Sequence, residues 1–343
     1  MTRGPKGHNR GVRRDAPTLA LINPVPQLRG GNRVTALRWA GIFRHLGWRV
    51  FVEESWSGRR CDLLVALHAR KSHSSVVRFK REHPELPVIV AGTGTDLYSD
   101  VADSGEAREA FGLATRVVVL QPHAVEKLAE DVRPRARVIY QSVRPPEPRP
   151  ERESASFQVC VIANLRPVKD ALRTALAARL LPASSRVRVV HLGALVDEFM
   201  AEDLARERRE NARFTWLGDR PRAETLEVIA RSQLLVVSSR HEGGPNALSE
   251  ALALGTPVLA THIPGNLGLL GDDYPGTFPV GDTRALADLL ARAEREPAIY
   301  RALEQACRAR ASLTDPAQEL ASWRELLSET LAEKHDPTAD ATV

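Results

Sequence analysis

A chain of 343 residues, 43% hydrophobic and 27% charged with a mean hydropathy of −0.26, has apolar side chain enough for two cores and too much for a disordered or fibrous protein. No apolar run approaches the roughly 18 residues that cross a bilayer, so a helical membrane span is excluded. Of the formal charge of +5, Arg3, Lys6, Arg10, Arg13 and Arg14 against Asp15 supply +4; the rest is nearly balanced, with no footprint for nucleic acid.

Residues 1–15 are rich in Gly and Arg and lack the apolar stretch of a secretion signal, so they read as a disordered basic tail. Short β-rich runs then alternate with segments of helical period: Leu19–Ile22, Val34–Leu46, Val50–Val52, Leu63–Leu67, Ser74–Arg81 and Val88–Val90. Val117–Leu120, a helix after Pro122 and Val138–Tyr140 complete a first parallel-sheet domain over residues 16–144. Pro145, Pro146, Pro148 and Pro150 mark residues 145–156 as a semi-rigid linker.

The pattern restarts with Val159–Ile162, Val187–Val190, Phe214–Leu217, Leu234–Val237 and Pro257–Ala260, giving a second such domain over residues 157–312. Helical periods over Asp282–Arg295, Pro297–Ser312 and Asp315–Ala332 follow, with a C-terminal helix over 313–332 and a disordered tail over 333–343. Two doubly wound, Rossmann-like α/β domains place a cleft between two sets of strand carboxyl ends, where ligands of open α/β sheets bind.

Cys61, Cys160 and Cys307 are odd in number and far apart, which suggests neither a disulfide framework nor a zinc site and points to a reducing cytoplasm. With no metal-ligand spacing either, no metal is expected; for His68 and His73 a surface role outweighs ligation.

The loops after strands carry the chemistry. Ser238–Glu250 follows a buried-type strand and opens a helix through Gly243, Gly244 and Pro245. Its amides, with those of Asn246 and Ala247, suit a phosphate or sugar hydroxyl, and Glu242 and Glu250 can accept hydrogen bonds from hydroxyls. The alternative is an ordinary turn with two solvated carboxylates.

Arg166 and Lys169, three apart after the strand ending near Ala163, would offset charge growing on a departing diphosphate; here too a solvated turn is the alternative. Lys is scarce, six against forty-two Arg, which adds weight to Lys169. Gly30-Gly31 after the first strand allows close backbone approach but has neither the GxGxxG nor the Walker A spacing. His68, Arg70, Lys71, Thr93, Thr95 and Asp96, with Asn32 and Arg33, would make a basic, hydroxyl-rich wall for a small anionic acceptor. Asp96 reads equally as a turn-forming residue.

Glu242 and Glu250, separated by seven residues around a Gly-Gly loop, resemble the E-x7-E signature of the retaining-type glycosyltransferases with the GT-B fold. Gly30-Gly31-Asn32-Arg33-Val34, Leu67–Ser72, Thr93–Tyr98 and His241–Gly244 together are similar to one subgroup, the selenosugar synthases of selenoneine biosynthesis, over nearly all of residues 18–331. The resemblance implies UDP-N-acetylglucosamine and selenophosphate as substrates, a carbon–selenium bond formed at the anomeric carbon, and no cofactor or metal. It implies that Arg166 and Lys169 hold the diphosphate, that Glu250 takes the ribose hydroxyls, and that Glu242, Gly243 and Gly244 hold the donor sugar. Transfer to an ordinary hydroxyl, and a sugar-nucleotide-binding protein without turnover, are the alternatives.

Overall fold

The computed structural model describes residues 16–24, 31–98, 104–152 and 154–332; Gly30 and both expected tails lie outside these. The first domain runs β1 (Thr18–Ile22), α1 (Gly31–His45), β2 (Arg49–Glu53), β3 (Leu63–Leu67), α2 (Ala69–Glu82), β4 (Val88–Gly92), α3 (Thr95–Tyr98), α4 (Gly105–Leu113), β5 (Arg116–Val119) and β6 (Ala136–Val138). Its six parallel strands lie in the order β2-β1-β3-β4-β5-β6. The central strands β3 and β4 are buried along their whole length, as continuous Leu/Val/Ile runs must be when helices cover both faces of a sheet.

The second domain runs β7 (Phe157–Ile162), α5 (Arg173–Arg179), β8 (Val187–Leu192), α6 (Ala201–Glu210), β9 (Phe214–Gly218), α7 (Arg222–Arg231), β10 (Leu234–Val237), α8 (Asn246–Leu254), β11 (Val258–Thr261), α9 (Pro264–Leu270) and β12 (Thr277–Phe278). Helices α10 (Thr283–Arg295), α11 (Pro297–Arg310) and α12 (Pro316–Ala332) follow. The sheet is again parallel, ordered β12-β11-β10-β7-β8-β9. Strand order reverses between β1 and β3 in one sheet and between β7 and β10 in the other, and a crevice opens at the carboxyl ends there. The loops after β7 and β10, which carry Arg166, Lys169 and Glu242, flank the second reversal.

Four elements depart from expectation. The segment after Pro122 is a 3-10 turn, Pro122–Lys127, and β12 is two residues long, too short to leave a periodic signal. The short helices α3 and α4 have no counterpart among the expected elements; α4 is capped by Ser104, whose side chain accepts a hydrogen bond from the Ala107 amide.

The last helix also returns across the molecule. Trp323 of α12 is fully buried in the first domain's core, edge-on to Trp39 at 4.6 Å and Phe43 at 4.7 Å. Beside it the buried Glu319 carboxylate accepts from Trp39 Nε1 at 2.8 Å, Arg38 Nε at 3.1 Å and the Ser142 amide at 2.9 Å. No described helix is long and apolar enough to cross a membrane.

Candidate active site

A cleft of about 1330 Å³ separates the two sheets, lined from both domains. On the second-domain side, Pro167–Lys169 form a 3-10 turn closed by Asp170 in a left-handed conformation (φ 44°), and Arg173 clamps the Asp170 carboxylate at 3.0 and 3.2 Å. Ser238 Oγ donates to the Asp170 carbonyl at 2.9 Å and the Arg240 amide to the Val168 carbonyl at 2.8 Å, so the loops after β7 and β10 form one unit. That unit brings Lys169 Nζ to 2.7 and 2.8 Å from the two Glu242 oxygens, while Ser239 Oγ donates to Glu242 Oε1 at 2.6 Å. Arg166 lines the same wall, half exposed, 3.8 Å from Asp197.

Pro245, Asn246 and Ala247 put the start of α8 on the cleft, so the positive end of the helix and its free amides face any bound anion. Gly255 ends the helix in the left-handed conformation, φ 64°. Halfway along, Glu250 lies in the cleft floor with its side chain 6% exposed, and Arg222 Nη1 donates to its Oε1 at 2.6 Å. Burial pushes the Glu250 carboxyl above the ordinary range, opposed by Arg222 and by Arg38 of the other domain.

The first-domain wall is built differently from expectation. Asn32, Arg33, His68, Lys71 and Thr93 line the cleft, but Arg70 is exposed and does not. The Asp96 carboxylate is fully buried and accepts from the amides of Ala69 at 2.9 Å, Thr93 at 3.0 Å and Gly94 at 2.8 Å. It is therefore no acceptor ligand; it staples the loop after β3 to the loop after β4, the turn-forming reading, because three converging amides outcompete solvent for it. Nothing is described of the Thr95 side chain.

The stapled loop meets the Gly-Gly loop across the cleft. A Cβ on Gly243 would stand 2.6 Å from the Gly94 nitrogen and the Thr93 carbonyl, and one on Gly244 would stand 2.5 Å from Leu120 Cβ. Glycine at these positions thus serves close approach of the domains, and Gly243 itself is not among the lining residues. Gly31 likewise acts through its backbone: its carbonyl accepts from Asn246 Nδ2 at 3.3 Å.

Four site residues had no motif to announce them. Gln141 donates to the Gly244 carbonyl at 2.7 Å and accepts from Thr35 Oγ1 at 2.6 Å and Arg38 Nη2 at 2.7 Å, joining α1 to the Gly-Gly loop. Glu319 orients Arg38, and Arg222 holds Glu250. Only Arg222 left a trace, in the polar Asp219-Arg220-Pro221-Arg222 run after a strand. Among the described residues no three His, Cys, Asp or Glu side chains are grouped to hold a metal ion.

Residues 145–310 match the family model described as glycosyl transferases group 1. It is 26% identical over 300 residues to glycosyltransferase 1 domain-containing protein 1 of Xenopus tropicalis, covering 79% of this chain and 86% of the relative. Among solved structures, HepE of Anabaena in complex with UDP-glucose superposes with a TM-score of 0.72 at 15% identity, over 92% of this chain and 100% of that one. Sucrose-phosphate synthase of Thermosynechococcus elongatus gives 0.73 at 17% identity, over 92% and 100%. The two-sheet architecture is the GT-B fold of these neighbours.

Proposed function

We propose that this protein transfers a sugar from a UDP-sugar to an anionic acceptor, with UDP-N-acetylglucosamine as donor and selenophosphate as acceptor. One observation carries the reading. The diphosphate-suited cations Arg166 and Lys169, Glu242 and the start of α8 share one wall of the cleft, and the opposing wall bears Arg33, Arg38 and Lys71. Every carboxylate among the described lining residues, Asp219, Glu242 and Glu250, belongs to the second domain, so the first-domain wall favours a negatively charged co-substrate.

The chemistry follows from these charges. As the bond between the anomeric carbon and the UDP oxygen breaks, the diphosphate gains charge, which Arg166, Lys169 and the α8 amides stabilise. The selenium of selenophosphate forms the new bond to that carbon, and hydrolysis of the selenium–phosphorus bond then yields phosphate and the selenosugar. A soft anionic nucleophile needs no strong base, and cationic stabilisation of the leaving group needs no metal. Glu242 and Glu250 are read as the carboxylates that take the sugar and ribose hydroxyls.

A second reading, transfer to a hydroxyl, is favoured by His68, which lines the cleft with Nδ1 3.8 Å from Asp96 Oδ2 and could accept an alcohol proton. Incubation with UDP-N-acetylglucosamine and selenophosphate, followed by mass spectrometry, tests the proposal: UDP and a selenium-bearing hexosamine support it. UDP release only with alcohols supports the second reading, and UDP-sugar binding without release under any acceptor rejects both. Activity unchanged by a chelator is expected of either.

A further inference from the structure

From the geometry around the cleft floor we infer that Arg222 is a positioning residue for the proposed transfer, holding Glu250 ionised and in one orientation so that it can accept hydrogen bonds from the donor's ribose hydroxyls. The inference rests on the reading of Glu250 given above and adds to it the residue on which that role depends.

Arg222 opens α7, following Pro221. A cation at a helix N-terminus opposes the helix dipole, so α7 itself gains nothing from it. Its side chain instead crosses to α8 and donates to Glu250 Oε1 at 2.6 Å, while remaining 37% exposed along the cleft wall. Glu250, in contrast, is nearly enclosed, and an enclosed carboxylate without a cation takes up a proton. A protonated Glu250 would present one oxygen as a donor and lose its grip on a hydroxyl pair that needs acceptors.

The charged and titratable surroundings of Glu250 are few. Arg222 faces it from α7, Arg38 from α1 and the buried Cys160 thiol, itself pushed up to about 12, from β7. On α7, Glu227 pairs with Arg231 at 2.6 Å and Glu224 with Arg220 at 4.0 Å, so neither competes for Arg222. Strand β10, helix α9 and the turn at Ala311–Thr314, which also pack on α8, carry no titratable side chain. On α11, Cys307 is buried against Tyr274 and Glu304 pairs with Arg152. Arg38 is already engaged by Glu319 and Gln141, which leaves Arg222 as the direct hydrogen-bond donor.

Two measurements on the full chain test this. Carboxyl-labelled glutamate NMR, with the Glu250 signal assigned by its loss in Glu250→Gln, follows its titration in the wild type, Arg222→Gln and Arg222→Lys. The Arg222→Gln midpoint is expected to rise by about one to three pH units, and Arg222→Lys to restore most of the difference. Calorimetry then compares UDP with 2′-deoxy-UDP across the same pH range. The wild type is expected to prefer UDP about tenfold; Arg222→Gln should lose that preference at low pH and regain it as pH rises.

A merely structural Arg222 would instead weaken both nucleotides alike at every pH, which overturns the inference. An unchanged Glu250 midpoint in folded Arg222→Gln, beside a wild-type preference for UDP, overturns the inference alone. No wild-type preference overturns the ribose reading of Glu250 and the inference with it.

Discussion

Lys169 and Glu242 neutralise each other at 2.7 Å; under the proposed function a diphosphate would draw the ammonium away from the carboxylate and free Glu242 for the sugar. The two substitutions should therefore part company. Lys169→Met is expected to weaken UDP binding and to lower turnover by about 10²–10³-fold. Glu242→Gln leaves Lys169 free, so UDP should bind at least as tightly as in the wild type while sugar transfer falls; calorimetry against UDP and a UDP-release assay read the two effects separately.

His191 shows the same residue-scale logic in stability. It is buried on β8 with Nε2 2.7 Å from the Ala163 carbonyl, so Nε2 carries the proton, and burial lowers its pKa from 6.5 to about 4. The unfolded chain then binds more protons than the folded one between those values: stability is fully present above pH 6.5 and declines as pH falls toward 4. The loss amounts to about 3 kcal/mol. Thermal melts of wild type and His191→Gln should show this slope in the first and a shallower one in the second.

At the scale of elements, the site depends on loops pressed together where side chains would not fit. A Cβ on Gly265, the second residue of α9, would stand 1.9 Å from the Glu242 carbonyl oxygen and 2.9 Å from its Cβ. Gly265→Ala must displace the loop bearing Glu242, and it is expected to cost at least about tenfold in turnover, since sub-ångström misplacement of catalytic groups is severe. Circular dichroism would show the fold retained, separating displacement from unfolding.

Legibility follows the same scale. Strands such as β3 and β4 were readable because their apolar runs are continuous, and the turn before α8 because Gly243, Gly244 and Pro245 can do little else. The 3-10 turn at Pro122–Lys127 was not, since six residues with a leading proline fit either helix type. Nor was the role of Asp96, because its three amide partners lie on two loops that only folding brings together.

Over the whole molecule, α12 ties the chain end to its beginning. Trp323→Ala would empty a space lined by Trp39 and Phe43 and is expected to destabilise the first domain by about 3–5 kcal/mol, read by denaturant unfolding. Glu319→Gln would leave Arg38 a buried cation short of its partner, a loss of about 3–5 kcal/mol by the same measurement. Because Arg38 also reaches Gln141, which binds the Gly244 carbonyl, the second change should loosen the cleft as well.

By itself, the order of residues determined two parallel α/β domains, the Pro-rich passage between them and the loops on which Arg166, Lys169, Glu242 and Glu250 sit. These follow from interactions within a few residues: apolar period, glycine freedom and proline restriction. Only tertiary structure decided that Asp96 is spent on amides, that Arg70 lies outside the cleft lining, that Gly243 meets Gly94, and that Arg222, Arg38 and Glu319 belong to the site. Each of those depends on charges and backbones far apart along the chain, whose meeting is set by how two sheets and a returning helix share their buried surface.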